Sequence, residues 1–138
     1  MHPQAERGDS MSEIDDRARR ALPLTEATYY VLVSLVEPRH GYGIMQNVAA
    51  LTGGEVRIGP GTLYGALTNL LKQGLIERSS DEEAEGERRK TYGLTTLGRS
   101  IVLLECKRLE TMARIGRAAA ERIRNQDNEK DGKEETTS

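Results

Sequence analysis

The groups able to do chemistry in this chain gather in two places. From Gly59 to Arg78 the sequence reads GPGTLYGALTNLLKQGLIER. Wound as a helix, Leu63, Leu67, Leu70 and Leu71 fall on one apolar face. The opposite face carries Gly61, Gly65, Thr68 and Lys72, with Asn69 near its edge and Thr62 and Tyr64 on the flanks. Hydroxyl, amide and ammonium groups set among bare backbone suit hydrogen bonding to a polar surface that must come close. The second place is the run Arg88, Arg89 and Lys90. On a strand Arg88 and Lys90 share one face and Arg89 takes the other. Cations so placed suit phosphate groups, whose neutralisation releases counterions.

Catalysis has little to draw on. The chain has two histidines, His2 and His40, and one cysteine, Cys106, with no metal-ligand spacing between them. No catalytic residue, metal or cofactor is assigned. His40 stands at a helix start and reads as a turn residue or phosphate contact. Cys106 lies mid-helix among apolar residues and reads as a small core hydrophobe. A lone cysteine forms no internal disulfide, which fits a reducing cytoplasm. No apolar run approaches the roughly 20 residues of a membrane span, and residues 1–20 lack the apolar region of a secretory signal. With no Trp and no Phe, the core must be Leu, Ile, Val and Ala. The formal net charge of −2 hides a division. Residues 21–125 hold 14 basic and 12 acidic groups, against 4 and 5 in residues 1–20 and 2 and 5 in residues 126–138. The middle is therefore slightly basic and both tails are acidic.

Five elements position these groups. Thr25 caps a helix with Ala27, Val31 and Leu35 at helical spacing and Pro38 beyond its end. A second helix opens at HGYGI, carries Ile44, Val48 and Leu51 on one stripe, and stops at Gly53-Gly54. The third begins with Pro60 and ends at Gly74. Extended runs at 75–79 and 88–95 flank a polar tip and predict a β-hairpin with a long loop. A final helix starts at Thr95 or Thr96 and runs to about Arg124. This predicts a mainly α fold with a small β-hairpin: a winged helix-turn-helix over 21–95 and a C-terminal helix over 96–125. Residues 1–20 are expected to be disordered or frayed, and 126–138 to be a disordered acidic tail.

In such a motif the second helix enters the major groove of DNA with its first turns. Glycine lets backbone approach closely, and a helix start offers free amides to a phosphate. Each glycine in a helix also costs about 0.5–1 kcal/mol relative to alanine. That cost at both Gly61 and Gly65, on an exposed face, favours a functional reason. The hairpin's polar tip, DEEAEGE, would be repelled by phosphate, so the base of the second strand and not the tip is expected to meet DNA.

Three motifs carry a resemblance: H-G-Y-G-I at the second helix, T-L-Y-G-A-L in the third, and Y-G-L-T-T-L-G after the hairpin. Together and in order, over about residues 22–124, they resemble the PadR family of bacterial transcriptional regulators, in its smaller subfamily with a single terminal helix. The resemblance implies a homodimeric DNA-binding regulator, usually a repressor, acting on a pseudo-palindromic operator. It implies that Tyr42 and Tyr64 contact the DNA backbone, and that Arg88, Arg89 and Lys90 are the basic wing residues. It also implies a small aromatic or drug-like effector near the dimer interface. Some small members stack a terminal-helix tryptophan on that ligand, and this chain has none. The acidic wing tip is a second departure.

The terminal helix supports pairing independently. Val102, Leu109, Met112, Gly116, Ala119 and Ile123 approximate a heptad seam, interrupted at Glu105, with Leu103, Leu104 and Ile115 as a second strip. The dimer interface is therefore expected at Val102, Leu104, Leu109, Met112, Ile115, Gly116, Ala119 and Ile123. The competing reading is a winged-helix adaptor that binds protein and no DNA. It differs in two respects: an adaptor tolerates loss of Arg88, Arg89 and Lys90, and it shows no steep salt dependence.

Overall fold

The computed structural model describes residues 10–84 and 87–137, with backbone alone for 79–84, 87–89 and 133–137. The elements are α1 (Met11–Arg20), α2 (Glu26–Ser34), β1 (Arg39–His40), α3 (Gly41–Leu51), α4 (Pro60–Gln73), β2 (Ile76–Ala84), β3 (Glu87–Leu94) and α5 (Thr96–Thr137). The three strands form an antiparallel sheet in the order β1-β3-β2. This is a winged helix-turn-helix with a long final helix.

The helical stripes fill one core. Val31, Leu32 and Leu35 meet Ile44 and Val48 of α3, Leu63, Leu67 and Leu70 of α4, and Leu75, Ile76, Tyr92 and Leu94 of the wing. Leu51, expected on the α3 stripe, sits outside the core and is exposed, as is Val36 just beyond α2. Gly74 ends α4 in the left-handed region, at φ +76°, where a side chain would be strained. From there the chain turns into β2. Thr95 ties the wing's exit to that turn: its hydroxyl donates to the Gly74 carbonyl at 2.6 Å and accepts from the Gly98 amide at 3.1 Å. Gly98 is glycine for packing, because a Cβ there would collide with the Leu75 carbonyl.

Several expectations change. Residues 11–20 form a helix where a frayed arm was expected; residues 1–9 of that arm lie outside the described residues. The Ser10 hydroxyl caps this helix by accepting from the Glu13 amide at 3.1 Å, and Ala18 is fully buried in the core. The final helix continues past Arg124 to Thr137, over most of the segment expected to be disordered. No proline interrupts it, and extending an existing helix costs far less than starting one. The first hairpin strand is longer than 75–79 suggests, so Asp81–Ala84 belong to β2 and not to a loop, while the second lies one residue earlier than 88–95. The strand β1, only two residues, was not foreseen. It pairs Arg39 with Tyr92 and His40 with Thr91.

Two compact units divide α5, the first ending at Glu105 and the second beginning at Cys106. The winged unit therefore takes in the first turns of α5, where Leu97, Ile101 and Glu105 are buried. Glu105 interrupts the apolar seam for a reason internal to this unit: its Oε2 accepts from the Leu24 amide at 2.9 Å. Val102 and Leu104 are half-buried and pack against the same core. In the second unit Leu109, Met112, Ile115 and Ile123 are exposed large hydrophobics. Cys106 is also exposed, correcting its reading as a core hydrophobe. At the polar end of a helix turn, its Sγ lies 3.6 Å from Glu110 Oε1.

Candidate nucleic-acid interface

The apolar stripe of α4 turns its other side outward. Gly61, Thr62, Tyr64, Gly65, Thr68, Asn69 and Lys72 are all exposed. An added Cβ at Gly61 or Gly65 would meet no atom within 4 Å. Neither residue has the positive φ that marks Gly53, Gly54 and Gly74. Nothing within the described chain requires glycine at either position. Gly41 is the contrast. Its missing Cβ is the place where the Tyr64 ring tip sits, so the H-G-Y glycine makes room for the T-L-Y tyrosine.

That packing seats Tyr64 against the start of α3. The two tyrosines Tyr42 and Tyr64 are 66% and 48% exposed, high for aromatic rings. They line a cleft of about 560 Å³ with His40, Gly41, Gly43, Gln46, Lys90 and Tyr92. Thus Tyr42, Tyr64 and Lys90 come together at one site. His40 Nδ1 lies 3.3 Å from the Thr91 hydroxyl, which holds the imidazole at the edge of the sheet. Thr68 differs from its neighbours. Its hydroxyl donates to the Tyr64 carbonyl at 2.9 Å, so in this conformation it can accept from a base but not donate to a phosphate.

Helix starts divide into two kinds. Ser10, Thr25 and Thr95 cap α1, α2 and α5 with side-chain oxygens. His40 and Gly59, at the starts of α3 and α4, make no side-chain cap bond. First-turn amides at these two helices are therefore left to solvent or to a ligand, and the helix dipole favours an anion there.

The wing places its charges in opposition. Lys90 pairs in register with Asp81, Arg89 with Glu82 and Arg88 with Glu83. Side chains of Arg88 and Arg89 lie outside the described residues; Lys90 is exposed. Acidic residues read as a tip are thus cross-strand partners of the basic run.

One basic residue on this side escaped sequence reasoning. Arg57, three positions before α4 begins, lines a second hollow with Tyr42 and Gln46. Its only sequence signal is its place between a Gly-Gly turn and the proline that opens a helix. Among the described residues no group of His, Cys, Asp and Glu is arranged to hold a metal ion, and no helix is long and apolar enough to cross a membrane.

Fold and surface together define a winged helix-turn-helix protein whose α4 turns a polar, glycine-bearing face outward. The model of the transcriptional regulator PadR-like family matches residues 30–102, and the chain belongs to that family. An uncharacterised protein of Lysinibacillus sphaericus is 33% identical over 66 residues, 48% of this chain and 61% of that protein. The chain thus spans about three fifths of that curated relative's length. Among solved structures, a transcriptional regulator from Clostridium thermocellum is 28% identical with a TM-score of 0.57, over 72% of this chain and 93% of that one. Bacillus subtilis PadR in complex with operator DNA shares the fold at 22% identity and a TM-score of 0.51, over 58% of this chain and 46% of that one.

Proposed function

We propose that this protein is a homodimeric, DNA-binding transcriptional repressor that lays α4 into the major groove. The observation that carries the reading is the pair of glycines on α4. Gly61 and Gly65 have open space around them, helical backbone and no internal reason to lack a Cβ. Each weakens the helix by about 0.5–1 kcal/mol. A surface pressed against the helix from outside is the condition under which that weakening is useful.

In this reading Thr62, Asn69 and Lys72 face the groove with Thr68, whose hydroxyl accepts. Tyr42 and Tyr64 hydrogen-bond backbone phosphates at the uncapped starts of α3 and α4. Lys90, with Arg88 and Arg89, adds phosphate contacts from the wing. Such contacts fix register without reading sequence. Pairing runs along α5. Leu109, Met112, Gly116, Ala119 and Ile123 follow spacings of three and four, with Ile115 beside them. Val102 and Leu104 lend that seam only the part of their surface left free by their own core. A two-fold dimer presents two copies of α4 to an operator of matching symmetry. In the same reading a small aromatic or drug-like molecule releases the DNA, and the protein acts in the cytoplasm.

The test is an electrophoretic shift with the region upstream of the protein's own gene, at two salt concentrations, alongside sedimentation at micromolar protein. A dimer that retards the fragment, less so at the higher salt, is the expected result. A monomer indifferent to duplex at either salt contradicts the reading and favours a protein-binding adaptor.

A further inference from the structure

The α3–α4 connection brings a further basic residue to this side of the protein. Tyr42, Met45, Gln46 and Ala49 recur at i, i+3, i+4 and i+7, one stripe of α3 on which Tyr42 and Gln46 are exposed. Hollows of about 560 and 440 Å³ both border this stripe and share Tyr42 and Gln46. The first reaches Lys90 of the wing and the second reaches Arg57. Side by side they make a trough along α3, lined by Lys90 in the first hollow and by Arg57 in the second.

Arg57 is exposed and makes no hydrogen bond or ion pair among the described residues. Its guanidinium lies over Gly54, where an added Cβ would stand 3.3 Å from Nη2. Gly54 itself has φ +83°. The turn thus brings bare backbone beneath the arginine. An unneutralised cation there adds to the field of the two uncapped helix starts. Guanidinium offers paired N–H donors matched to phosphate oxygens, and the Gln46 amide adds a neutral donor within the same trough.

We infer that Arg57, assisted by Gln46, binds a phosphate of the DNA backbone at the end of this trough remote from the wing, so that each protomer grips the strand on both sides of Tyr42. The inference rests on the DNA-binding reading above. A contact of this kind positions α4 and carries no base preference.

The test uses the full chain as wild type, Arg57→Ala, Arg57→Lys, Gln46→Ala and Lys90→Ala. Each is titrated against a labelled duplex from the upstream region and a scrambled duplex of equal length, across a salt series. Thermal melting checks that each variant is folded. Arg57→Ala is expected to weaken both duplexes by the same factor and to flatten the salt slope by about 1. Arg57→Lys should keep the slope, because it keeps the charge. Gln46→Ala should weaken both duplexes and leave the slope unchanged. If Lys90→Ala flattens the slope while folded Arg57→Ala matches wild type, the second anchor is wrong and the DNA-binding reading stands. If wild type binds neither duplex, that reading falls and takes the anchor with it.

Discussion

The outward face of α4 and the two-stranded wing both carry polar groups into solvent, on opposite plans. On α4 the polar groups stand among glycines that nothing in the described chain explains. On the wing every cation of the basic run has a carboxylate opposite it in register. Local charge alone would have pointed to the wing, with its arginines. Asking which features lack an internal purpose points to α4. Gly41 and Gly98 sharpen the contrast, since each is filled by a neighbour of its own chain, Tyr64 in one case and the Leu75 carbonyl in the other.

The comparison breaks most visibly under bulk. Gly61→Leu with Gly65→Leu should weaken duplex binding about a hundredfold or more, ~2.7 kcal/mol, read by fluorescence anisotropy. Arg88→Ala with Arg89→Ala should cost much less, about tenfold or under. A reversed order of these two losses would move the reading surface to the wing. A smaller effect is expected at Tyr64, which serves the backbone. Tyr64→Phe removes one hydrogen bond, about 0.5–1.5 kcal/mol, and should do so equally for all operator variants. A change in which sequence is preferred would instead make Tyr64 a base reader. The smallest effect lies on the acidic strand. Neutralising it as Asp81→Asn, Glu82→Gln and Glu83→Gln should tighten binding to scrambled duplex severalfold at low salt and steepen the salt slope. An unchanged slope would mean that β2 does not screen β3.

Much of the frame was legible because helices announce themselves by spacing. The stripes of α2, α3 and α4 were read from their leucines, isoleucine and valines, and Thr25, Pro60 and Gly74 marked ends by known backbone preferences. The wing was harder. A strand is recognised by apolar alternation, and Asp81–Ala84 has none; only its backbone pairing with β3 reveals it. β1 is too short to leave a pattern. Glu105 read as a flaw in an apolar seam because its partner, the Leu24 amide, is distant in sequence. Cys106 was judged by apolar neighbours in the chain, although its side of the helix faces solvent. The tyrosines and glycines of the α4 face were legible as types; that Gly41 exists to seat Tyr64 became visible only when the helices were packed. Arg57 carried no periodic signal and had to be found in space.

One substitution tests the central claim most directly, because stability and binding should move in opposite directions. Gly65→Ala adds a methyl where an added Cβ meets no atom within 4 Å, in a helix that it should strengthen by about 0.5–1 kcal/mol. Melting temperature and affinity for the upstream duplex are measured on the same preparation. A protein that melts a few degrees higher yet binds DNA more weakly is the predicted result. A protein that melts higher and binds as well as wild type would show that nothing needs to come close to this face.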